Sequence, residues 1–174
     1  MEAFGVYFRI DREDMFPFLV AMFDALKEAK RTGDFPEVSE WLPLIHPNVR
    51  AHFYWPPAEE LSVVAEIRAT RPIIIMEPSD AIGDEWDFGS ILDAVKNGEY
   101  QMLEIVKTSS NAGELRIDPE AYPYGGIGAF IALIEAHGMH ILGINEYGKY
   151  QPRSELVSSE PKEKGRDKPW WKFW

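Results

Sequence analysis

The chain has 174 residues, of which 45% are hydrophobic, 13% aromatic and 27% charged, with a net charge of −11 and no cysteine. That length suits one domain, since domains run to about 100–200 residues, and a core of this size needs no disulfide or metal to hold together. Disulfides, thiolate zinc sites, iron–sulfur clusters and cysteine nucleophiles are excluded. The acidic balance disfavours duplex nucleic acid, whose affinity rests on Lys and Arg, and favours solubility and basic partners.

Met1-Glu2-Ala3-Phe4 lacks the basic and apolar regions of a secretory signal, and no apolar run approaches the ~18 residues of a membrane span. The expected compartment is the cytoplasm. Residues 4–10, aromatic and β-branched, read as a strand. Pro17 is tolerated only in a first helical turn, so a helix starts near Asp14 as N-cap. Met15, Leu19, Met22, Leu26 and Ala29 form its apolar stripe, and Gly33 ends it. A shorter helix is expected at 36–45 and a strand at Val49–Trp55. A helix from Pro57 to about Ala69 follows, then a short buried strand at 72–76.

Past the acidic loop 77–87, Phe88, Ile91, Leu92 and Val95 mark a helix with Gly98 as its C′ residue. Tyr100–Thr108 and Glu114–Asp118 read as strands of a hairpin whose loop is 109–113. A nearly all-apolar helix at 126–137 and a strand at 139–145 complete the order. The expected fold class is α+β: a mixed β-sheet of about six strands with helices packed on it. Residues 72–147 would form a ferredoxin-like βαββαβ unit. Residues 1–150 form the globular domain. Residues 151–174 form a polar linker carrying a Trp-rich segment.

Three features carry possible chemistry. Tyr122, Tyr124, Gly125, Gly126 and Gly128 lead into a helix, where free amides and the helix dipole favour an anion. The pattern is neither GxGxxG nor a P-loop, and close packing of a buried helix explains the glycines equally. Arg116 and Arg71 are the basic residues that would have to reach this turn, beside Asp118, for it to bind a ligand. The acidic loop lacks the spacing of a calcium loop and supplies at least a cap, Asp84 or Asp87, for the next helix. His137 and His140 are separated by a helix-ending Gly138, so no zinc site is expected, and no hydrolase elbow is present.

The last feature is Pro169-Trp170-Trp171-Lys172-Phe173-Trp174. Residues 160–174 carry five basic against three acidic side chains, opposite in sign to the rest of the chain. Trp170, Trp171, Phe173 and Trp174 suit a contact, because exposed tryptophans dominate interfaces. The segment would staple its own or a neighbouring subunit, dock on another protein, or touch a membrane surface, the last weakly for so short a segment. The expected function is a non-catalytic protein-interaction module of inhibitor, immunity or adaptor type, without cofactor or metal. The alternative is a small enzyme or an anion- or ligand-binding protein using the Tyr122–Gly128 turn.

Overall fold

The computed structural model describes residues 4–55, 86–120, 125–146 and 148–154. Its first strand, β1 (Phe4–Arg9), alternates buried Phe4, Val6 and Phe8 with the opposite face. Helix α1 (Phe16–Thr32) follows, with Pro17 in its first turn and Gly33 ending it at φ 74°. The expected stripe is buried: Met15, Leu19, Met22, Leu26 and Ala29 all face the core, as a 3.6-residue period requires. The N-cap is Met15 rather than Asp14. Asp14 instead accepts from Arg12 Nε and Nη2 at 2.9 and 2.7 Å, while the Met15 side chain is buried.

Helical turns fill the expected short helix at 36–45, and a second short helix takes the start of the expected strand at 49–55. Helix α2 (Val38–Trp41) runs into a 3-10 turn at Leu42–Leu44, and α3 (Pro47–Arg50) follows. Pro47 sits in the first turn of α3, and the His46 ring accepts from Asn48 N at 3.2 Å as its cap. This local start overrides the β-propensity of Val49–Trp55. Tyr54 forms an isolated bridge to Asp87. The expected helix at 57–69 and the strand at 72–76 lie outside the described residues.

Helix α4 (Phe88–Asn97) buries Phe88, Ile91, Leu92 and Val95, and Asp87 caps it by accepting from Ser90 N at 2.9 Å. Gly98 is extended (φ −64°, ψ 137°) rather than left-handed. The Lys30 ammonium closes this helix end instead, donating to Val95 O at 2.8 Å and Gly98 O at 2.7 Å. Strands β2 (Tyr100–Ser109) and β3 (Ala112–Pro119) form a hairpin. Its loop is tighter than expected, because Ser109 already pairs with Ala112. Helix α5 (Ile127–Ala136), strand β4 (His140–Glu146) and strand β5 (Lys149–Pro152) end the described fold.

The strands form one sheet in the order β2-β3-β1-β4-β5. The fold is α+β, and among the described residues every pairing of two strands is antiparallel, where a mixed sheet was expected. Among the described residues there are five strands, not six. The place between β3 and β4 belongs to the N-terminal strand β1, which both neighbours run against. Strand β5 had no counterpart in the sequence reading; it continues two residues past 150, and the Arg153 guanidinium then pairs with Glu135 on α5 at 2.5 Å.

The core lies between the sheet and the helices α1, α4 and α5. Phe130 of α5 packs 6.2 Å from Phe23 of α1 and 5.4 Å from Tyr100 of β2, centroid to centroid. Residues 128–134 and Ala136 of α5 are all buried. A helix that is apolar all round is covered all round. With the helices on one face, strand alternation sends a second set of residues to the other face.

Candidate functional site on the open face of the sheet

Residues directly opposite in an antiparallel pair share a face. The register places Glu114 of β3 across from Tyr7 of β1, and Arg116 across from Gly5. Glu104 of β2 stands across from Arg116, and Asn145 of β4 across from both Gly5 and Tyr150 of β5. Irregularities at Met102/Glu104 and at Tyr7/Phe8 keep the alternation in phase along β2 and β4, as an extra bulged residue does. One polar row, Glu104–Arg116–Glu114–Tyr7–Asn145–Tyr150, thus crosses all five strands on the face away from α1, α4 and α5.

Arg116 holds the row together. Its Nε and Nη2 donate to Glu114 Oε2 at 2.9 and 2.7 Å, and its Nη1 donates to Glu104 Oε1 at 2.8 Å. Glu114 is 7% exposed, although it lies on the face that no described helix covers. Gly5 makes the burial possible. A Cβ at Gly5 would stand 2.6 Å from Glu114 Oε1, so only glycine lets the carboxylate lie against the β1 backbone.

The Tyr7 hydroxyl joins Glu114 to Asn145. Burial holds its pKa above the ordinary value of 10.0, and the hydrogen bond to Glu114 raises it further, against the opposing effects of Asn145 and Arg116. The phenol is therefore a donor at neutral pH. Tyr150 stands edge-on to Tyr7, with centroids 5.8 Å apart and planes at 73°. Its hydroxyl donates to Leu142 O at 3.1 Å, and the residue remains 54% exposed. Asn145 Oδ1 is buried and accepts no hydrogen bond. The row thus offers two carboxylates to one guanidinium, plus an unused amide acceptor. Such a set can receive a cationic or N–H donor.

The expected site residues are scattered. Gly125 and Gly126 have φ of 63° and 76°, Gly126 is the N-cap of α5, and Gly128 is buried within it. Tyr122, Tyr124 and Arg71 lie outside the described residues, as do Trp170, Trp171, Phe173, Trp174 and the acidic loop before Trp86. Arg116 does not serve the Tyr122–Gly128 turn: its guanidinium is committed to Glu114 and Glu104 on the sheet face. Asp118 stands across from Gln101 on that same face.

The histidines separate as the spacing implied. Gly138 (φ 75°) divides His137 from His140. His137 is buried, its Nδ1 lies 2.7 Å from Leu133 O, and burial depresses its pKa below 6.5. Among the described residues no group of three or more His, Asp or Glu side chains is arranged to hold a metal ion, and no helix is long and apolar enough to cross a membrane. The sequence reading missed Tyr7, Glu104, Glu114, Asn145 and Tyr150. Their signal is strand alternation, with Glu114, Arg116 and Asp118 at every second position of β3.

Comparison with protein-family models, with curated proteins and with solved structures yields no match.

Proposed function

We propose that this chain is a non-catalytic protein-interaction module of the inhibitor, immunity or adaptor kind, and that the open sheet face receives an Arg or Lys side chain of a basic partner. The carrying observation is the buried, unpaired Asn145 Oδ1 beside the ion-paired Glu114. A buried acceptor without a donor is costly, and a guanidinium or ammonium from outside satisfies it while meeting the surplus carboxylate charge. The net charge of −11 steers the same class of partner. Tyr150 and Leu142, both exposed, supply apolar surface beside the polar row for the partner's backbone and side-chain stems.

The tail is a second contact in this reading. Trp170, Trp171, Phe173 and Trp174 dock on a protein or on a neighbouring copy of the chain, and the protein works in the cytoplasm without membrane contact. Because β5 ends at Pro152, a truncation that isolates the tail belongs after Ser154. We also read β1, α1, β2, β3, α5 and β4 as a ferredoxin-like split βαβ unit with residues 33–99 inserted, which would make the open face its ligand surface.

The test titrates a short Arg/Gly peptide and its Glu/Gly counterpart into ¹⁵N-labelled full-length protein. The Arg peptide is expected to move the amides of Tyr7, Glu114 and Asn145, weakening as salt is added. Glu114→Gln and Asn145→Ala should each abolish the shifts. Equal shifts with the Glu peptide, or shifts confined to other surfaces, would refute the reading.

A further inference from the structure

Tyr100 opens β2 on the opposite, helix-covered side of the sheet. Its ring lies between two glycines: a Cβ on Gly98 would stand 2.1 Å from a ring carbon, and one on Gly126 would stand 2.8 Å from the hydroxyl oxygen. The residue is 1% exposed, yet that hydroxyl has no hydrogen-bond partner. The Ala94 carbonyl borders the same point, 3.0 Å from the Cβ position at Gly126, but accepts from Gly98 N instead. Phenylalanine would fill the space without burying an unused donor, so the hydroxyl needs a reason to be there.

Its neighbour is the N-terminus of α5. Gly126 is the N-cap in the left-handed conformation and offers no side-chain acceptor. The first amides of a helix have no partner within it, and the dipole there favours negative charge. The ammonium of Lys30 lies 4.6 Å from the Tyr100 ring centroid, which adds to the positive field. The Lys30 ammonium is held by the Val95 and Gly98 carbonyls and faces the Glu120 carboxylate, so the hydroxyl and the first helix amides are the donors left for an anion.

We propose that the N-terminus of α5 and the Tyr100 hydroxyl form a binding site for a small oxyanion, a phosphate or carboxylate group. The hydroxyl donates to one oxygen, and the amides of Ile127 and Gly128 donate to the others. The two classes are separable because a phosphate offers more acceptor oxygens than a carboxylate. The site lies across the sheet from the polar row, so its failure leaves the basic-partner reading untouched, and the reverse holds too.

The experiment titrates inorganic phosphate and, separately, acetate into the ¹⁵N-labelled full chain at constant ionic strength, with chloride as the reference. Saturable shifts of the Gly126, Ile127 and Gly128 amides are expected, and Tyr100→Phe should weaken them by about tenfold, the loss of one charge-assisted hydrogen bond. Saturation by phosphate alone assigns a phosphate site, and saturation by acetate as well assigns a general oxyanion site. Absence of saturation with either anion overturns the proposal. So does a Tyr100→Phe protein, folded by its amide dispersion, that binds as tightly as the wild type.

Discussion

Replacing Tyr100 with Phe removes one buried oxygen and leaves the ring where Gly98 and Gly126 hold it. An unsatisfied buried hydroxyl costs about 1–3 kcal/mol relative to one that keeps its water. Against that gain stands the lost dispersion of one oxygen atom packed between two glycines, a few tenths of a kcal/mol at about 0.1–0.2 per contact. The net expectation in a chloride buffer free of oxyanions is a stabilisation of about 1–2 kcal/mol. For a chain of this length each kcal/mol raises Tm by about 2–4 °C. Calorimetry and urea unfolding measure it, and a change in urea midpoint at constant slope shows that the native state is the one altered. A Phe variant less stable than the wild type by about 1 kcal/mol would refute the reasoning, because it would mean that the hydroxyl is satisfied in the native state. Added phosphate should then stabilise the wild type by mass action and the variant far less.

Two further perturbations test the sheet face and the buried histidine. Gly5→Ala drives a Cβ to 2.6 Å from Glu114 Oε1, so it should cost about 1–3 kcal/mol by overpacking; urea unfolding reads this, and combining it with Glu114→Ala should recover most of the loss, since the clash goes with the carboxylate. His137 is held neutral by burial, with its native pKa below the unfolded value of about 6.5. Above that value both states are neutral and stability is full. As pH falls below it, the unfolded chain takes up the proton first, and stability drops by up to about 1.4 kcal/mol per pH unit until the native pKa is reached. Unfolding midpoints at a series of pH values between neutrality and acid, compared with His137→Gln, check this; an identical slope in the variant would remove His137 as the cause.

The sequence announced the elements that are decided locally. Pro17, Gly33 and the stripe from Met15 to Ala29 bound α1 because each acts within a turn or two of its own position. The burial of α5 was equally legible, since a helix apolar on every side has nowhere else to go. Where a competing partner decides, near in sequence or far, the structure departs from expectation. Asp14 is a good cap in isolation, but Arg12 takes its carboxylate. Gly98 would suit a left-handed helix end, but Lys30 caps the α4 carbonyls from 68 residues away. The strand between β3 and β4 comes from residues 4–9, at the far end of the chain from its neighbours. Pairing partners that distant leave no trace in local periodicity.

The same distinction explains why the polar row was invisible. Glu114, Arg116 and Asp118 alternate along β3, and alternation alone predicts a solvated face. Only the register reveals that Gly5, a residue with no side chain, lies opposite Arg116 and lets the adjacent carboxylate sink to 7% exposure. A solvated face gains nothing from a buried carboxylate, which loses hydration and must be held by a partner charge. Here one guanidinium holds two carboxylates, and the nearby amide oxygen goes unused. Glu104 stays in water, as on an ordinary exposed sheet, whereas Glu114 does not. The buried carboxylate on β3 and the unused acceptor on β4 lie in one row across the sheet, and that pairing is what supports the proposal of a donor from another molecule.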